Sequence, residues 1–472
     1  IRGFGILARA KTSALDQIPP ETRREMVSGS QAIETAYNAT NIATILDVPF
    51  ALMFVGVLYL LNPIISMVVA TFLVAVFAAG IYGGLSLRDK TAESQNASGV
   101  GGTLLSTLTR EGDTVRAFNA TGFLIDAWRK HTYHAQGLRR EIGSRQGLVQ
   151  SITQSSTGLM SIAVVTVGAT LVVLGEMDVG AMMGANILSA RALQPISKFS
   201  QLGATFAKAR QSMELFAKLA TVPLEQDSGS ALSEYSGHVE FRDVAMAFQG
   251  SPTPLFESLS LDLKPGKVLV VTGANGTGKT TFAKLLMGLL DPARGQILVD
   301  GLDLKQVAPE WWRRQVIHLP QEPALLNATI EENLRVNAPD IDISELNRII
   351  DATGLRRFVD ESPQGFETPV VDNGWRLSEG IRRRIALARA LTTKGRLAII
   401  DEPTESLDAE GCAAVHNILG QLARAGATII VLSHDRDIVK GPHMVLDLNV
   451  KPVPEVTEAG VGPKAVEAEA IG

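Results

Sequence analysis

The chain alternates between long uncharged stretches and mixed segments, and the longest uncharged stretch lies near its amino terminus. No side chain from Val48 to Leu87 carries a formal charge, and Asn62-Pro63 interrupts this run near its middle. Because about 20 apolar residues cross the hydrocarbon core of a bilayer, the pattern predicts two membrane spans, 42–61 and 64–85, with a tight turn between them. A buried helical hairpin of a soluble protein is the alternative, but neither predicted helix has a polar face.

Two weaker apolar stretches predict a third span at 152–174 and a fourth at 179–206. The third begins with Ser, Thr and Gln residues, and polar faces within a membrane bundle usually look inward. The fourth contains Arg191, which either faces a water-filled cavity or extends to the membrane interface. Between the two pairs of spans, apolar residues at helical spacing predict long helices over 86–150 with a short crossing helix, and a separate soluble helical insert is the alternative.

The pattern changes where the predicted transmembrane domain, 1–217, ends. Residues 218–237 contain Pro, Gly and Ser between polar residues, and they predict a linker. Alternating strand-like segments and helical runs then predict an α/β domain over 238–449. Several Pro and Gly residues near the carboxyl terminus predict a flexible tail, 450–472.

Composition and charge narrow the classes of protein to which the chain can belong. With 472 residues the chain is long enough for two or three domains, and its positive mean hydropathy of +0.15 comes from the apolar stretches. A net charge of −5 without a Lys/Arg-rich run argues against a nucleic-acid-binding protein. The single cysteine, Cys412, excludes an internal disulfide and a cysteine-based zinc site. Basic residues precede the first span and recur over 86–150, so the positive-inside rule predicts that the amino terminus, this segment and the α/β domain are cytoplasmic.

Residues 273–280, Gly-Ala-Asn-Gly-Thr-Gly-Lys-Thr, match the phosphate-binding pattern G-x-x-x-x-G-K-[ST]. An apolar, strand-like run precedes the loop and a helix-like run follows it, which is the order that the motif requires. A glycine-rich turn with a chance Lys is the alternative. We expect backbone N–H groups to hold the phosphates, Lys279 to reach the β- and γ-phosphates and Thr280 to bind Mg²⁺. The candidate nucleotide-binding residues of this segment are Gly273, Ala274, Asn275, Gly276, Thr277, Gly278, Lys279, Thr280 and Thr281.

A second apolar strand, Arg396–Asp401, ends in a carboxylate that is followed by Glu402. A buried parallel strand brings its terminal Asp to the sheet edge beside the phosphate loop, where Asp401 can bind Mg²⁺. Together these motifs resemble the ATP-binding cassette (ABC) family, and the resemblance covers the whole chain. It implies an all-α transmembrane helical bundle followed by an α/β P-loop NTPase cassette, with ATP and Mg²⁺ as ligands. It also implies that Glu402 is the general base for the water that attacks the γ-phosphate.

The resemblance implies roles for three further residues. Gln321, in Pro320-Gln321-Glu322-Pro323, corresponds to a residue that contacts Mg²⁺ and the attacking water. His434, in Ser433-His434-Asp435, corresponds to a histidine that hydrogen-bonds the γ-phosphate. Phe248 occupies the place of an aromatic residue that stacks on adenine, and a core Phe is the alternative.

The family's signature loop, Leu-Ser-Gly-Gly-Gln, corresponds here to Leu377-Ser-Glu-Gly-Ile381. In a dimer, Ser378 and Gly380 of this loop, with Asp408 of the nearby D-loop, would contact the nucleotide held by the second subunit. Glu379 places a carboxylate where a glycine is expected, and a unit charge about 5 Å from another costs roughly 3 kcal/mol at an effective dielectric near 20. If Glu379 points at the phosphate, it therefore penalises closure of the dimer. The alternatives are that its side chain turns outward or pairs with a nearby Arg.

Three membrane segments, Ile45–Phe50, Gly175–Met182 and Ile187–Ile196, resemble the type I secretion ABC transporters of Gram-negative bacteria. The resemblance implies a multi-pass half-transporter of the bacterial inner membrane, with its cassette on the cytoplasmic side, that works as a homodimer or heterodimer. It also implies a secreted, unfolded polypeptide as substrate and a periplasmic adaptor and an outer-membrane channel as partners. Because that family normally has six spans, we expect the first pair upstream of Ile1, and a true four-span protein is the alternative.

Three other functions stay open at the level of the sequence. An exporter of lipids or small peptides would have the same architecture. A low-activity subunit of a heterodimeric transporter is suggested by Glu379 in the signature loop. A soluble cassette protein of DNA repair or translation belongs to a different class, and the uncharged spans argue against it.

Overall fold

The computed structural model describes residues 2–248, 250, 253–434, 438 and 441–458. The chain divides into two compact units, of which one comprises Ile1–Ala10 and Ala14–Leu224 and the other Lys11–Ser13 and Glu225–Gly472. The division between Leu224 and Glu225 falls inside the linker predicted at 218–237.

The described secondary structure of the amino-terminal unit is helical apart from one isolated β-bridge, between Ala10 and Leu224. The helices up to Ala220 are α1 (Arg2–Arg9), α2 (Thr12–Leu15), α3 (Pro20–Ser28), α4 (Ser30–Ala36), α5 (Ala39–Leu61), α6 (Pro63–Arg110), α7 (Gly112–Ala117), α8 (Thr121–Val173), α9 (Val179–Gln201) and α10 (Gly203–Ala220). The first two residues of α2 belong to the other unit. Helices α6 and α8 are 48 and 53 residues long, and the short helix α7 lies between them in the sequence. The predicted start of the linker at residue 218 is wrong because α10 continues to Ala220, through residues that favour helix and past the fully buried Leu219.

The turns of the helical unit are fixed by side-chain caps. Between α5 and α6, the Asn62 side chain accepts hydrogen bonds from the backbone N–H groups of Ile64 and Ile65, and Pro63 occupies the first helical position. Before α9, Asp178 Oδ1 accepts a 2.7 Å hydrogen bond from the N–H of Ala181. These caps explain why α6 begins after the predicted turn at Asn62-Pro63 and why α9 begins at Val179, the predicted start of the fourth span.

Among the described residues, three helical segments are long and apolar enough to cross a membrane: Ala39–Leu61, Pro63–Gly83 and Thr121–Val173. The fourth predicted span, 179–206, is not one continuous helix, because α9 ends at Gln201 and α10 begins at Gly203. Gly203 is the poorest helix former at this break, which accounts for the difference. Crossing of the membrane by α9 remains a prediction.

The helical bundle is apolar on its inner and its outer faces. Leu58, Ile65 and Val164 belong to its buried core, whereas Leu60 and Val173 are largely exposed. A soluble helical bundle would carry polar residues on its outer faces. The exposed apolar side chains are therefore of the kind that a bilayer covers.

The described residues of the carboxyl-terminal unit form two sheets. An antiparallel sheet has the order β2-β1-β4-β5, and a six-stranded sheet has the order β10-β9-β3-β8-β7-β6. The strands are β1 (Val239–Met246), β2 (Phe256–Leu263), β3 (Val268–Thr272), β4 (Arg294–Val299), β5 (Leu302–Asp303), β6 (Val316–Leu319), β7 (Leu397–Asp401), β8 (Thr428–Leu432), β9 (Met444–Asp447) and β10 (Glu455–Glu458). The α-helices are α11 (Lys279–Leu286), α12 (Pro309–Arg314), α13 (Ile330–Arg335), α14 (Ile343–Ala352), α15 (Arg356–Glu361), α16 (Glu379–Leu391) and α17 (Ala409–Arg424).

The central strands of the larger sheet are parallel, and their register brings three loops together. Leu432 at the end of β8 pairs with Val271 of β3 on one side and with Asp401 of β7 on the other. Strands β3, β7 and β8 are buried along their whole lengths, as their apolar, β-branched sequences predict. The segments that follow these strands therefore meet at one edge of the sheet.

The predicted flexible tail, 450–472, is wrong in its first part. Residues Glu455–Glu458 form β10, which pairs antiparallel with β9 at the edge of the larger sheet. Val456 packs against the main core of the unit, which explains why this short segment is ordered despite the neighbouring prolines. Residues 459–472 of the predicted tail lie outside the described residues.

Candidate active site

The phosphate loop connects β3 to α11 and takes conformations that glycine permits. Gly276 and Gly278 have φ angles of +82° and +110°, which other residues rarely adopt. A Cβ atom on Gly278 would lie 2.6 Å from Leu255 Cδ2, and one on Gly273 would lie 2.3 Å from Thr277 Oγ1. The loop can therefore take this conformation only with glycine at these positions, as its sequence predicts.

Lys279 lies buried at the start of α11, between the loop and a carboxylate. Its Nζ donates a 2.7 Å hydrogen bond to the carbonyl oxygen of Gly273 and lies 3.4 Å from Glu402 Oε1. A buried ammonium group needs such partners. The side chain is thus held at the loop where the γ-phosphate would be bound, next to the predicted base.

Three predicted metal ligands converge beside the loop. Thr280 Oγ1 donates a 2.9 Å hydrogen bond to Asp401 Oδ2 and lies 3.4 Å from Gln321 Oε1. The other carboxylate oxygen, Asp401 Oδ1, is buried and has no hydrogen-bond partner among the described residues. Burial, reinforced by the neighbouring charge of Glu402, raises the pKa of Asp401 to about 6. A cation at Oδ1 would satisfy this unpaired oxygen.

The ligand chemistry fits Mg²⁺. A carboxylate, a hydroxyl and an amide carbonyl are hard oxygen ligands, which Mg²⁺ prefers to nitrogen or sulfur. Within the described residues, no cluster of three or more His, Cys, Asp or Glu side chains could hold a metal by itself. The cation would therefore depend on oxygens of the substrate phosphates and of water, which is how Mg²⁺ binds in many nucleotide sites.

Glu402 is fixed at the end of β7 by side-chain and backbone contacts. Its Oε2 lies 3.0 Å from His434 Nδ1 and accepts a 3.2 Å hydrogen bond from Ser433 Oγ, and its Oε1 accepts one of 3.2 Å from the N–H of His434. Its φ of +47° is strained for a residue with a Cβ. The structure therefore brings together Glu402 and His434, the predicted base and γ-phosphate sensor, and Asp435 lies outside the described residues.

The signature loop leads into α16. Ser378 is the N-cap of this helix, and its Oγ accepts a 3.4 Å hydrogen bond from the N–H of Ile381. The Glu379 carboxylate lies 3.4 Å from Arg383 Nε, and hydrogen bonds from Ser406 and then Arg383 lower its pKa. Of the three arrangements considered for Glu379, the structure has the pairing with an arginine.

Other predicted nucleotide contacts lie at the surface of the unit. Asp408 is the N-cap of α17 and accepts hydrogen bonds from the N–H of Gly411 and, at 2.6 Å, from Arg384 Nη2. Its contact with a second subunit, like those of Ser378 and Gly380, remains a prediction. Phe248 is 49% exposed, so the alternative that it belongs to the core is wrong. Its stacking on adenine remains a prediction.

Two groups near the site were missed in the sequence. Asn449 Oδ1 accepts a 2.9 Å hydrogen bond from the N–H of Ala274, and Lys451 Nζ donates one of 2.9 Å to the carbonyl oxygen of Thr277. Burial lowers the pKa of Lys451. Both residues follow β9, more than 170 positions from the loop in sequence, so no local signal links them to it.

No sequence pattern indicated the position of Arg383 on α16 either. Its side chain is buried and donates hydrogen bonds to the carbonyl oxygens of Gln321 and Glu402.

Comparisons with known proteins agree with this geometry. Residues 256–405 match the model of the ABC transporter family, and residues 18–195 match that of the ABC transporter transmembrane region. The fold is similar to the structure of a bacterial Atm1-family ABC exporter with ATP bound, with a TM-score of 0.82 and 21% identity, covering 95% of this chain and 79% of that one.

Curated relatives cover most of this chain. The alpha-hemolysin translocation ATP-binding protein HlyB of Escherichia coli O157:H7 is 28% identical over 410 residues, which are 86% of this chain and 57% of that protein. The exotoxin translocation ATP-binding protein PaxB of Pasteurella aerogenes is 28% identical over 402 residues, which are 84% of this chain and 56% of that protein. This chain thus spans little more than half the length of these relatives. The two family models match successive regions that together make up more than half of the chain, and the chain belongs to the ABC transporters, with a transmembrane region followed by an ATP-binding cassette.

Proposed function

We propose that the chain is a half-transporter of the bacterial inner membrane that hydrolyses ATP to drive export. The observation that carries this proposal is the convergence of Lys279, Thr280, Asp401 and Glu402 at one edge of the sheet. These residues supply a cation for the phosphates, ligands for Mg²⁺ and a carboxylate for the attacking water. Such an arrangement suits phosphoryl transfer to water, in which positioning and charge stabilisation supply most of the catalysis.

In this mechanism the loop N–H groups and Lys279 hold the β- and γ-phosphates. Thr280, Asp401 and Gln321 would hold Mg²⁺, which neutralises phosphate charge when it is bound. Glu402 orients the attacking water and accepts its proton, while Ser433 and His434 keep the carboxylate in place. His434 is largely exposed and so can also reach a nucleotide phosphate.

Two such chains would act together. Ser378 and Gly380 stand at the start of α16, where a helix N-terminus favours bound anions. Closure of these groups on the nucleotide of a second subunit would couple ATP binding to the membrane helices, and hydrolysis would reset the dimer. Because Glu379 is engaged by Arg383 and Ser406, its charge is already paired within its own subunit. The low-activity heterodimer therefore has no specific support from this residue.

The proposed substrate is an unfolded polypeptide exported by type I secretion, with a periplasmic adaptor and an outer-membrane channel as partners. The support is that the two relatives are named as translocation proteins for alpha-hemolysin and for an exotoxin. The basic residues before the first span and over 86–150 favour a cytoplasmic cassette.

Sealed membrane vesicles of opposite orientation test this proposal. ATP added outside should be hydrolysed by inverted vesicles and not by right-side-out vesicles, since only the former expose a cytoplasmic cassette. Inverted vesicles should also take up a radiolabelled, chemically unfolded polypeptide with ATP, and vesicles with Glu402→Gln should not. Uptake of a fluorescent phospholipid instead of the polypeptide would favour the lipid exporter. Hydrolysis by right-side-out vesicles alone would reject the orientation.

A further inference from the structure

Arg383 carries a buried charge inside the cassette and has a partner at each of its three side-chain nitrogens. Its side chain is only 2% exposed. Nη1 donates a 2.8 Å hydrogen bond to the carbonyl oxygen of Glu402, and Nη2 donates one of 2.7 Å to the carbonyl oxygen of Gln321. Nη2 also lies 3.0 Å from Glu405 Oε2, and Nε lies 3.4 Å from Glu379 Oε1. All three nitrogens are thus engaged, as burial of a guanidinium group requires.

These contacts reach two groups of the active site through their backbones. Glu402 stands in a strained conformation with a φ of +47°, and its N–H is bonded to the carbonyl oxygen of Leu432. The hydrogen bond from Arg383 fixes the opposite, carbonyl side of the same residue. A residue in a sparsely populated conformation persists only where its surroundings hold it. Arg383 is one of the groups that hold the predicted base in place.

The side chain of Gln321 is oriented through the same network. Its Nε2 lies 3.4 Å from Glu405 Oε2, the oxygen that also accepts from Arg383. With the amide nitrogen directed to Glu405, the amide oxygen faces Thr280 Oγ1 at 3.4 Å. A planar guanidinium group can bind a carboxylate and two carbonyl oxygens at once, whereas an ammonium group has no such fixed fork.

Glu379 links this network to the signature loop. It lies in the first turn of α16, four residues before Arg383, where i, i+4 side chains meet and where a helix N-terminus favours a carboxylate. The pair Glu379 and Arg383 thus joins the signature loop to Gln321 and Glu402 within one subunit.

We propose that Arg383 is a positioning residue for ATP hydrolysis and that Glu379 acts through it, so that the position of the signature loop is transmitted to Gln321 and Glu402 of the same subunit. The proposal rests on the proposed ATPase function. It assigns to Arg383 no contact with nucleotide or metal. A loss of Arg383 should therefore change catalysis and the response to Mg²⁺ while leaving the binding of ATP intact.

The test uses the purified full chain in lipid nanodiscs, with Arg383→Gln, Arg383→Lys and Glu379→Gln. The expected result for Arg383→Gln is a kcat that is lower by roughly tenfold or more, as small displacements of catalytic groups produce, with KM for ATP changed less than about twofold. The Mg²⁺ concentration for half-maximal hydrolysis should rise, because Gln321 is no longer oriented. Arg383→Lys should restore little, and Glu379→Gln should shift kcat and Mg²⁺ activation in the same direction by a smaller factor.

A double variant separates this role from simple destabilisation. In the Arg383→Gln background, Glu379→Gln should have no further effect on kcat, because its partner is already absent. Additive losses in kcat, or an unchanged kcat and Mg²⁺ response in Arg383→Gln, would overturn the proposal. If Arg383→Gln does not fold, the partly exposed Glu379→Gln decides: an unchanged Mg²⁺ response overturns the proposal, and a raised requirement supports it. Lys279→Ala in the same preparation tests the ATPase itself, so hydrolysis that needs Lys279 but not Arg383 would refute this inference alone.

Discussion

The hydroxyl group of Thr280 donates a 2.9 Å hydrogen bond to Asp401 Oδ2, although 121 residues separate the two in the sequence. The contact exists because β3 and β7 flank β8 in register, which brings the loop after one strand to the carboxylate at the end of the other. It leaves Asp401 Oδ1 buried and without a hydrogen-bond partner in the part of the chain that the structure describes. The pair is therefore set up to bind a cation.

The first prediction concerns the free energy of unfolding that the folded chain loses because the charge of Asp401 is buried. Burial raises the pKa of Asp401 from 3.8 to about 6, so the folded chain holds this proton more tightly than the unfolded chain does. The resulting stability is fully present below about pH 4 and is lost as the pH rises through about 6, by about 3 kcal/mol for a shift of about two pH units. Without Mg²⁺, Asp401→Asn should therefore raise the thermal midpoint at pH 7.5.

The control for this prediction is Asp340→Asn, which changes an exposed carboxylate. The stabilising effect of Asp401→Asn should shrink as the pH falls and vanish below about pH 4, where Asp401 is protonated in both the folded and the unfolded parent. Asp340→Asn should leave the thermal midpoint unchanged at both pH values. Equal thermal midpoints for the parent and Asp401→Asn at pH 7.5 would show that the Asp401 charge is not buried at a cost.

The second prediction concerns the base. Glu402→Gln keeps the size of the side chain but removes its ability to accept a proton, so hydrolysis should fall by about 100-fold or more. Binding of ATP should remain, because the loop and Lys279 are untouched. Glu410→Gln is the matched control, since Glu410 is exposed on α17. Parent-level hydrolysis by Glu402→Gln would mean that another group is the base.

The third prediction concerns the exposed Phe248. If it stacks on adenine, Phe248→Ala should weaken ATP binding by about 0.5–1.5 kcal/mol, which is roughly twofold to tenfold in affinity. Phe248→Tyr should bind ATP as the parent does, because it retains the aromatic ring. Titrations with ATP and with inorganic triphosphate distinguish stacking on adenine from an effect on phosphate binding. Phe248→Ala should weaken the binding of ATP and leave the binding of triphosphate unchanged. A similar loss of affinity for triphosphate would argue against stacking.

The fourth prediction concerns the segment after β9. Asn449→Ala removes the acceptor for the N–H of Ala274, and loss of one hydrogen bond of this kind costs about 1 kcal/mol. ATP affinity should fall by a few-fold, because the phosphate loop is less well fixed. Asn449→Asp keeps an acceptor oxygen at the same place, but its charge would lie against Asp447 and close to the bound phosphates, so this variant should not restore ATP affinity. Isothermal titration of both variants with ATP gives the comparison, and equal affinities for Asn449→Ala and the parent would show that this contact does not shape the loop.

The fold and the core of the site follow from local signals. The buried strands β3 and β7, the glycine loop and the polar residues at their ends have short patterns that are specific to their structure. The order of these motifs along the chain then predicts which side chains lie close together. This is why Thr280, Asp401 and Glu402 could be placed together from the sequence.

The remaining parts of the site depend on tertiary contacts without a local signature. Arg383 reaches Gln321 across 62 positions, and Asn449 reaches Ala274 across 175. A run of three arginines on a helix indicates only a basic segment, so the burial of Arg383 could not be foreseen. The strand Glu455–Glu458 was missed because nearby prolines outweighed its short alternating pattern, and pairing with β9 decides its structure.

The central claim is that a membrane-embedded chain hydrolyses ATP at the site built on Lys279. It is tested most directly by measuring Mg²⁺-dependent ATP hydrolysis in alkali-washed membrane pellets from cells that produce the chain. The account predicts that the chain sediments with the membranes, that these pellets hydrolyse ATP, and that pellets with Lys279→Ala do not, whereas Lys264→Ala, at an exposed position, leaves the rate unchanged. Recovery of the intact chain in the supernatant, or equal hydrolysis by the Lys279→Ala pellets, would contradict it.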